Sequence, residues 1–440
     1  MSTSLSSHIL SFAVTMMLFA GVEFAPQFAQ GLENGVGRTP ALGWNTWNQF
    51  GCNVSAALIL EQARLLVSTG LAEKGYKYVN IDDCWQNHTR DSHGKLQADA
   101  KRFPDGISAL SKELDAMGLL LGIYSDVGTK TCAGYPGSSG SYEIDAATFA
   151  EWGISYLKFD TCSLTAAERK DPRPAYGEMS TALNSTGRPI LYSMCNWGQH
   201  KSYQWAGGMA NSWRTTEDIW PQWQRVVELL EANKDLAQYA RPGAFNDMDM
   251  IEVGVNGHVF NQKLLPRTKL TSREAESHFS LWALMSSPLI LGLDLSQAPQ
   301  WALDIVGNDE VIAMNQDAAG HQGNLVAEVK HGSILGGKCV SLGNCTHTQV
   351  WRKQLAGVQS VGVVLFNRGD DWTENSPKWQ VETVQIPFSK LGFAADVSVH
   401  VRDVLEHKDL GVMTGSVALP VPPHGVRTLV LKAVGGAAYA

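Results

Sequence analysis

Apolar runs that end in polar residues recur along the first three quarters of the chain. Eight such runs are predicted strands, and they begin at Ala41, Tyr76, Leu119, Ile154, Pro189, Ser212, Ala244 and Pro288. Between them lie segments such as AALILEQARLLVSTGLAEKG and WQRVVELLEANKDLAQYA, in which apolar residues recur with helical spacing. Because eight strand–helix units have the size and rhythm of a (β/α)8 barrel, we predict an α/β TIM barrel over residues 31–318.

The pattern changes after Gln316. A Gly-rich polar link, DAAGHQGN, is followed by alternating runs such as QSVGVVLFNRG, WQVETVQIPF and VRTLVLKAV, with no convincing helix among them. Alternation of apolar and polar residues is typical of strands that have one buried face. The pattern therefore predicts a C-terminal antiparallel β-sandwich over residues 319–440.

The N-terminal residues 1–30 have the pattern of a secretory signal peptide. Their apolar stretch from Ile9 to Val22 is too short to span a bilayer comfortably and has the length of a signal core. The segment before it departs from the usual pattern, because only His8 and the terminal amine could carry positive charge. We predict that the protein is secreted and extracellular.

Sequons and cysteines also indicate export. Four candidate N-glycosylation sites are present, at Asn53, Asn87, Asn184 and Asn344. The chain has seven cysteines, enough for three bridges and one remaining thiol. Such cysteine usage fits an oxidising compartment.

Composition narrows the classes of function. The chain has 440 residues, of which 44% are apolar and 18% charged, as in an ordinary globular protein of two domains. The net charge is -8 and no run of Lys and Arg stands out. Nucleic acid and membrane are therefore not predicted as partners, and the oligomeric state stays open.

Polar side chains collect at the ends of the predicted barrel strands, where barrel enzymes carry their active sites. In ISYLKFDTCS, alternation places Lys158, Asp160 and Cys162 on one face of the fourth strand. A single carboxylate could merely cap a following helix, but carboxylates follow five of the eight strand ends. Neither an HExxH motif nor an Asp-rich calcium loop is present, and the histidines are scattered. The ring of carboxylates and aromatic residues predicts a sugar site without metal or cofactor.

Hydrolysis of a sugar requires two carboxyl groups in different protonation states. The ammonium of Lys158, on the same strand face, is expected to lower the pKa of Asp160 and to keep it ionised as a nucleophile. Asp218 follows a different strand and could act as the acid on the opposite side of the scissile bond. Its pKa would then need to be raised.

Eight blocks of sequence resemble the successive blocks of eukaryotic family-27 α-galactosidases. The similarity runs over residues 37–316, and the blocks read RTPALGWNTWNQFGCN, YKYVNIDDCWQ, LQADAKRFPDGI, LGIYSDVGTKTCAGYPGS, YLKFDTCS, SMCNWG, SWRTTEDI and PGAFNDMDM. The CNWG and NDMDM forms are most similar to the fungal secreted members. The resemblance implies an exo-acting, retaining enzyme that releases terminal α-D-galactose from galacto-oligosaccharides or galactomannan side chains by double displacement.

The resemblance also implies roles for individual residues. Asp160 would be the nucleophile and Asp218 the acid/base. Asp82 and Asp83 would accept hydrogen bonds from the 4- and 6-hydroxyls of galactose. The full set of residues implied to bind the sugar is Trp44, Asp82, Asp83, Tyr124, Lys158, Cys195, Trp197, Arg214 and Met250.

The resemblance pairs Cys52 with Cys84 and Cys132 with Cys162, and it leaves Cys195 single. Cys339 and Cys345 are close enough in sequence to form a third, short bridge. 

Other functions of the same fold stay open. They are an α-N-acetylgalactosaminidase, a β-L-arabinopyranosidase and a non-catalytic galactose-binding protein. A silent relative would be expected to lose Asp160, Asp218 or Lys158, and this chain keeps all three.

Overall fold

The computed structural model describes residues 31–257, 269–332, 345–369 and 379–435, and the backbone of residues 334–335 and 338–339. The predicted signal peptide, residues 1–30, lies outside the described residues. Within the described part of the chain, no helix is long and apolar enough to cross a membrane.

The first domain is a (β/α)8 barrel, as the sequence predicts. Its eight parallel strands lie in the order β7-β6-β5-β4-β3-β2-β1-β8, so that strands consecutive in sequence pair along the sheet. A parallel bridge from Ile251, just after β7, to Leu291 in β8 closes the circle. The strands are Leu42–Asn45 (β1), Tyr78–Asn80 (β2), Leu120–Asp126 (β3), Tyr156–Asp160 (β4), Leu191–Met194 (β5), Ser212–Arg214 (β6), Phe245–Asp247 (β7) and Leu289–Leu291 (β8).

Helices connect the strands and bury their apolar faces on the sheet. In α2, Ile59, Ala63 and Leu66 recur at helical spacing and are fully buried. The helices are Trp47–Phe50 (α1), Ala56–Ser68 (α2), Gly106–Ala116 (α3), Tyr142–Glu151 (α4), Ala166–Lys170 (α5), Arg173–Ser185 (α6), Trp223–Asn233 (α7), Ser272–Leu284 (α8), Gln300–Val306 (α9) and Asp309–Asn315 (α10). Short 3₁₀ segments lie at Gln199–Gln204, Ala206–Gly208, Ala237–Tyr239 and Leu295–Gln297.

The second domain is an antiparallel β-sandwich, again as predicted. A six-stranded sheet in the order β16-β15-β18-β13-β12-β9 packs on a two-stranded sheet of β14 and β17. The strands are Asn324–His331 (β9), Ile334–Leu335 (β10), Lys338–Cys339 (β11), Thr346–Gln354 (β12), Ser360–Asn367 (β13), Glu382–Pro387 (β14), Ser398–Asp403 (β15), Lys408–Thr414 (β16), Ser416–Val421 (β17) and Val426–Val434 (β18). One 3₁₀ turn, Phe388–Leu391, follows β14.

The two domains share a continuous apolar core. Trp351, Phe366 and Val426 of the sandwich belong to the same buried cluster as the barrel residues. Helix α8 lies at this interface, where the imidazole Nδ1 of His424 is 2.8 Å from a carboxylate oxygen of Glu274. The chain passes between the domains in the segment from the end of α10 to the start of β9, and the predicted boundary after residue 318 falls within it.

Candidate active site

A cleft of about 420 Å³ opens at the carboxyl ends of the barrel strands. Most of the polar residues that the sequence places at strand ends converge here, because parallel strands present the same end to one face. The lining residues are Trp47, Asn48, Asp82, Tyr124, Cys132, Lys158, Asp160, Cys162, Trp197, Arg214, Glu217, Asp218, Trp220, Asp249 and Met250.

Asp160 lies at the end of β4 and is 6% exposed. One carboxylate oxygen accepts a hydrogen bond from the Tyr124 hydroxyl at 3.1 Å, and the other accepts from the backbone N–H of Thr161 at 2.9 Å. Burial raises the pKa of Asp160 to about 7, although the charge of Lys158 acts in the opposite direction. The expectation of a pKa below the ordinary value is therefore wrong, because desolvation outweighs the effect of the ammonium.

Lys158 forms its ion pair with Asp82 and not with Asp160. Its Nζ lies 2.8 Å from Oδ2 of Asp82, which also accepts a hydrogen bond from the Asn45 side chain at 2.8 Å. Burial opposes the charge on Lys158, but Asp82, Cys195 and Asp160 raise its pKa well above the ordinary value. Lys158 therefore remains a cation on the floor of the cleft.

Asp218 has a very different environment from Asp160. It lies in the loop after β6, and 56% of its side chain is exposed. Its Oδ1 is 3.2 Å from Nη2 of Arg214, and its charge is one of the causes that raise the pKa of Asp160. Of these two carboxyl groups, that of Asp160 is thus buried and that of Asp218 is open to water.

Asp249 is a residue of the cleft that the predicted sugar-binding set does not include. It has a left-handed backbone with φ of 78°, a conformation that Asp adopts more readily than most residues. Its Oδ2 lies 2.9 Å from Nη2 of Arg214 and accepts the backbone N–H of Ile219 at 2.7 Å. Asp249 thereby links the end of β7 to the loop that carries Asp218. The NDMDM block contains the residue, but strand alternation gives no sign of this turn.

Trp47, and not Trp44, contributes to the cleft wall. Trp44 is fully buried in β1, and its indole N–H donates to the carbonyl of Leu293 at 2.7 Å. Trp47 comes three residues later, in the single-turn helix α1, and lines the cleft. The prediction for Trp44 is corrected because the chain leaves the strand after Asn45, and the next tryptophan reaches the open face.

Asp83 and Cys195 lie behind the lining. The carboxylate of Asp83 accepts hydrogen bonds from the backbone N–H groups of Cys84 at 2.7 Å and Ala133 at 2.8 Å. The Cys195 thiol is buried, 3.7 Å from Nη1 of Arg214. Their direct contacts with a sugar stay predictions. The other predicted residues, Tyr124, Lys158, Trp197, Arg214 and Met250 among them, reach the cleft.

Two predicted disulfides, Cys52–Cys84 and Cys132–Cys162, are present and both tie loops at the catalytic face. Cys195 is free, and Cys345 is disulfide-bonded, whereas the side chain of its predicted partner Cys339 lies outside the described residues. Ligand-type atoms of Asp126, Asp160, Cys132 and Cys162 lie within 4.8 Å of one another. The two sulfurs are joined to each other, so that this group cannot offer a metal its thiolates.

The predicted glycosylation sites differ in accessibility. Asn53 and Asn184 are exposed, and Asn87 is half-buried. Asn344 lies outside the described residues. 

A parallel barrel whose strand ends bring two dissimilar carboxyl groups into one polar, aromatic cleft defines a glycosidase of the TIM-barrel class. Residues 39–317 match the family described as alpha galactosidase A, and residues 346–431 match the alpha galactosidase C-terminal β-sandwich domain. The chain therefore belongs to the α-galactosidase family. It is a glycoside hydrolase of the α-galactosidase class, as the sequence blocks predict.

Similar proteins come from plants and fungi. Alpha-galactosidase 2 of Arabidopsis thaliana is 40% identical over 430 residues, which cover 96% of this chain and 98% of that protein. The crystal structure of alpha-galactosidase I from Mortierella vinacea is 34% identical, with a TM-score of 0.79 over 92% of this chain and 100% of that one. An α-galactosidase of Saccharomyces cerevisiae, solved with raffinose, is 28% identical, with a TM-score of 0.79 over 91% and 99% of the two chains.

Proposed function

We propose that this α-galactosidase removes terminal α-galactose with retention of configuration, with Asp160 as nucleophile and Asp218 as acid/base. The observation that carries the proposal is the contrast between two of the carboxyl groups that line one cleft. Asp160 is buried and accepts two hydrogen bonds, whereas Asp218 is half exposed on a loop. A nucleophile needs a fixed position, and an acid/base must exchange protons with a leaving group and with water.

In the first step, a carboxylate oxygen of Asp160 attacks the anomeric carbon while Asp218 donates its proton to the glycosidic oxygen. The bond to the leaving group breaks, and a covalent galactosyl-enzyme forms. In the second step, Asp218 takes a proton from water, whose oxygen attacks the same carbon and releases α-galactose. Lys158 and the Tyr124 hydroxyl stabilise the ionised form of Asp160 in both steps.

Galactose is proposed to lie on the floor of the cleft, beside Asp82, Lys158 and Arg214. Asp82 already uses one oxygen to pair with Lys158, and the pair can accept and donate hydrogen bonds to neighbouring hydroxyls. Arg214 is held by Asp249 and can donate to a ring hydroxyl. A structure of the yeast relative contains raffinose, which favours galacto-oligosaccharides as the substrate class here.

A panel of aryl glycosides tests the proposed sugar specificity. Trp197 lines the cleft in the block that faces the sugar 2-position by resemblance, and its bulk should leave little room for a 2-acetamido group. We expect strong hydrolysis of p-nitrophenyl α-galactoside, weak hydrolysis of the β-L-arabinopyranoside and almost none of the α-N-acetylgalactosaminide. Comparable kcat/KM values on the first and third substrates would contradict the proposal.

We also propose that the protein is secreted and glycosylated. Two disulfides at the catalytic face and the exposed side chains of Asn53 and Asn184 favour passage through an oxidising secretory compartment. Digestion of the secreted protein with an endoglycosidase should lower its mass, and Asn53→Gln and Asn184→Gln should each remove one increment. An unchanged mass would contradict glycosylation at these sites.

A further inference from the structure

An arginine clamp holds the loop that carries the proposed acid/base. Arg225, in helix α7, donates from Nε to the backbone carbonyl of Asp218 at 2.8 Å and from Nη2 to that of Glu217 at 2.7 Å. Its Nη1 lies 3.1 Å from Glu228, one turn further along the helix. The guanidinium therefore ties the backbone on either side of the acid/base to a regular element.

The same guanidinium covers one face of a tryptophan. Cζ of Arg225 lies 4.6 Å from the centroid of the Trp220 ring, within the range of a cation–π contact. The indole N–H of Trp220 donates to the side chain of Gln222 at 2.9 Å. Trp220 is partly exposed and lines the cleft. Among the described residues, Gln222 accepts from the indole N–H and Arg225 covers one face, while Trp220 also forms part of the cleft wall.

The position of Trp220 relative to the acid/base indicates what this surface meets. A general acid must lie within hydrogen-bond distance of the oxygen that it protonates, so Asp218 marks the place of the glycosidic oxygen. Trp220 is two residues from Asp218 on the same loop, whereas the proposed galactose contacts Asp82 and Lys158 lie on the strand ends below. Trp220 consequently stands on the leaving-group side of the scissile bond.

We propose that Trp220, backed by Arg225, forms a leaving-group subsite that takes a neutral pyranose ring linked through the scissile oxygen. The apolar C–H face of a pyranose stacks on the face of the indole opposite Arg225, and the exposed carboxylate of Glu217, also in the cleft lining, accepts hydrogen bonds from its hydroxyls. The subsite rests on the proposed function, because it assigns Asp218 as the acid. It makes Trp220 a specificity-determining residue for oligosaccharides.

Two substrates with the same galactosyl group separate the subsite from the catalytic step. Melibiose has a glucose leaving group that would contact Trp220, whereas methyl α-galactoside has a methyl group that reaches no subsite, and both leaving groups need a proton from Asp218. For Trp220→Ala, the ratio of kcat/KM on melibiose to kcat/KM on methyl α-galactoside should fall at least about tenfold, since truncation of a tryptophan that anchors a ligand is costly. Trp220→Phe should restore most of the ratio.

A matched control is Trp205→Ala. Trp205 is also partly exposed and donates its indole N–H to a backbone carbonyl, that of His200, but it is not among the residues that line the cleft. Its replacement should leave the ratio unchanged. Arg225→Met should lower the ratio in the same direction as Trp220→Ala, because the indole loses its support.

The proposal is overturned if Trp220→Ala lowers both activities equally or changes neither. A wild-type protein that hydrolyses neither substrate would instead contradict the proposed function, so the two failures are distinguishable. A Trp220→Ala protein that fails to fold would be recognised by its melting curve. In that case Arg225→Met decides by the same ratio, which should fall.

Discussion

Lys158 influences two carboxyl groups, those of Asp82 and Asp160, in different ways. Its ammonium is 2.8 Å from Asp82, with which it forms an ion pair, and its charge is the largest influence that opposes the burial of Asp160. Burial alone would keep Asp160 protonated and unreactive near neutral pH. The side chain therefore acts on the chemistry of a carboxylate that it does not directly bind.

Replacement of Lys158 by Met should make Asp160, the proposed nucleophile, harder to ionise. Burial already raises the pKa of Asp160 to about 7, and loss of a neighbouring cation raises it further. Since only ionised Asp160 attacks, the acid limb of the kcat/KM profile should move to higher pH by about 1 pH unit or more. The control is Lys95→Met, which removes an exposed cation paired with Glu151. An acid limb that stays in place or moves to lower pH would argue against the assignment.

The loss of activity on removal of the Asp218 carboxyl group should depend on the leaving group of the substrate. Asp218→Ala should lower kcat/KM on melibiose by about 10²–10⁴-fold, because a sugar alkoxide needs a proton to depart. The leaving group of an activated dinitrophenyl galactoside needs no proton, so the rate of the first step on this substrate should fall far less. Azide, which attacks the galactosyl-enzyme without a base, should yield α-galactosyl azide. Equal losses on both substrates would place the acid elsewhere, with Asp247 the first alternative.

At the scale of elements, the loops after β3 and β4 are tied together beneath the proposed nucleophile. The Cys132–Cys162 disulfide joins the two loops, and Oδ2 of Asp126 accepts the backbone N–H of Cys162 at 2.8 Å. The backbone carbonyl of Asp160 in turn accepts the N–H of Val127 at 2.9 Å. The end of β4 is therefore fixed by its neighbour as well as by its own strand.

The double replacement Cys132→Ser and Cys162→Ser should weaken both the fold and the catalysis. The bridge closes a separation of 30 residues, for which the chain-entropy model gives a loss of about 3–4 kcal/mol in the free energy of unfolding. Denaturant titration measures this loss, and kcat on p-nitrophenyl α-galactoside should fall because the Tyr124 and Asp160 ends loosen. A loss below about 1 kcal/mol with full activity would show that the bridge is dispensable.

The polar residues at several strand ends could be predicted from the sequence, because side chains alternate between the two faces of a strand with a period of two residues. Alternation along β4 places Lys158 and Asp160 on one face, and both reach the cleft. Trp47 could not be predicted in this way, since it lies beyond β1 in a turn whose direction depends on tertiary contacts. The left-handed turn at Asp249 could not be predicted either. The raised pKa of Asp160 could not be predicted either, because a sequence shows the neighbouring charge but not the loss of water around the carboxyl group.

At the scale of the whole molecule, a buried lysine joins the sandwich to the barrel. Nζ of Lys353, in β12, donates to the Ser286 hydroxyl at 2.7 Å and to the carbonyl of Met314 at 2.5 Å. Burial lowers the pKa of Lys353 to about 7, although Asp317 acts in the opposite direction. The interface therefore contains a group that changes charge near neutral pH.

Lys353→Met should stabilise the protein more, or destabilise it less, at pH 6 than at pH 9. The folded-state pKa lies below the unfolded value, so the folded protein binds fewer protons between about pH 7 and 10.5, and wild-type stability gains as pH rises over this range. The difference in Tm, variant minus wild type, should accordingly decrease from pH 6 to pH 9. Lys432→Met, at an exposed position of β18, is the control. A difference that is constant or increases with pH would refute the charge change.

The central claim, that Asp160 forms a covalent bond to galactose, has a direct test. The protein is incubated with 5-fluoro-α-D-galactosyl fluoride, whose galactosyl-enzyme hydrolyses slowly, and is then digested and mapped by mass spectrometry. We predict one added fluorogalactosyl group on the peptide that contains Asp160, and none on the same peptide of Asp160→Asn. A label on Asp218 or on any other carboxylate, or full turnover of substrate by Asp160→Asn, would contradict the account.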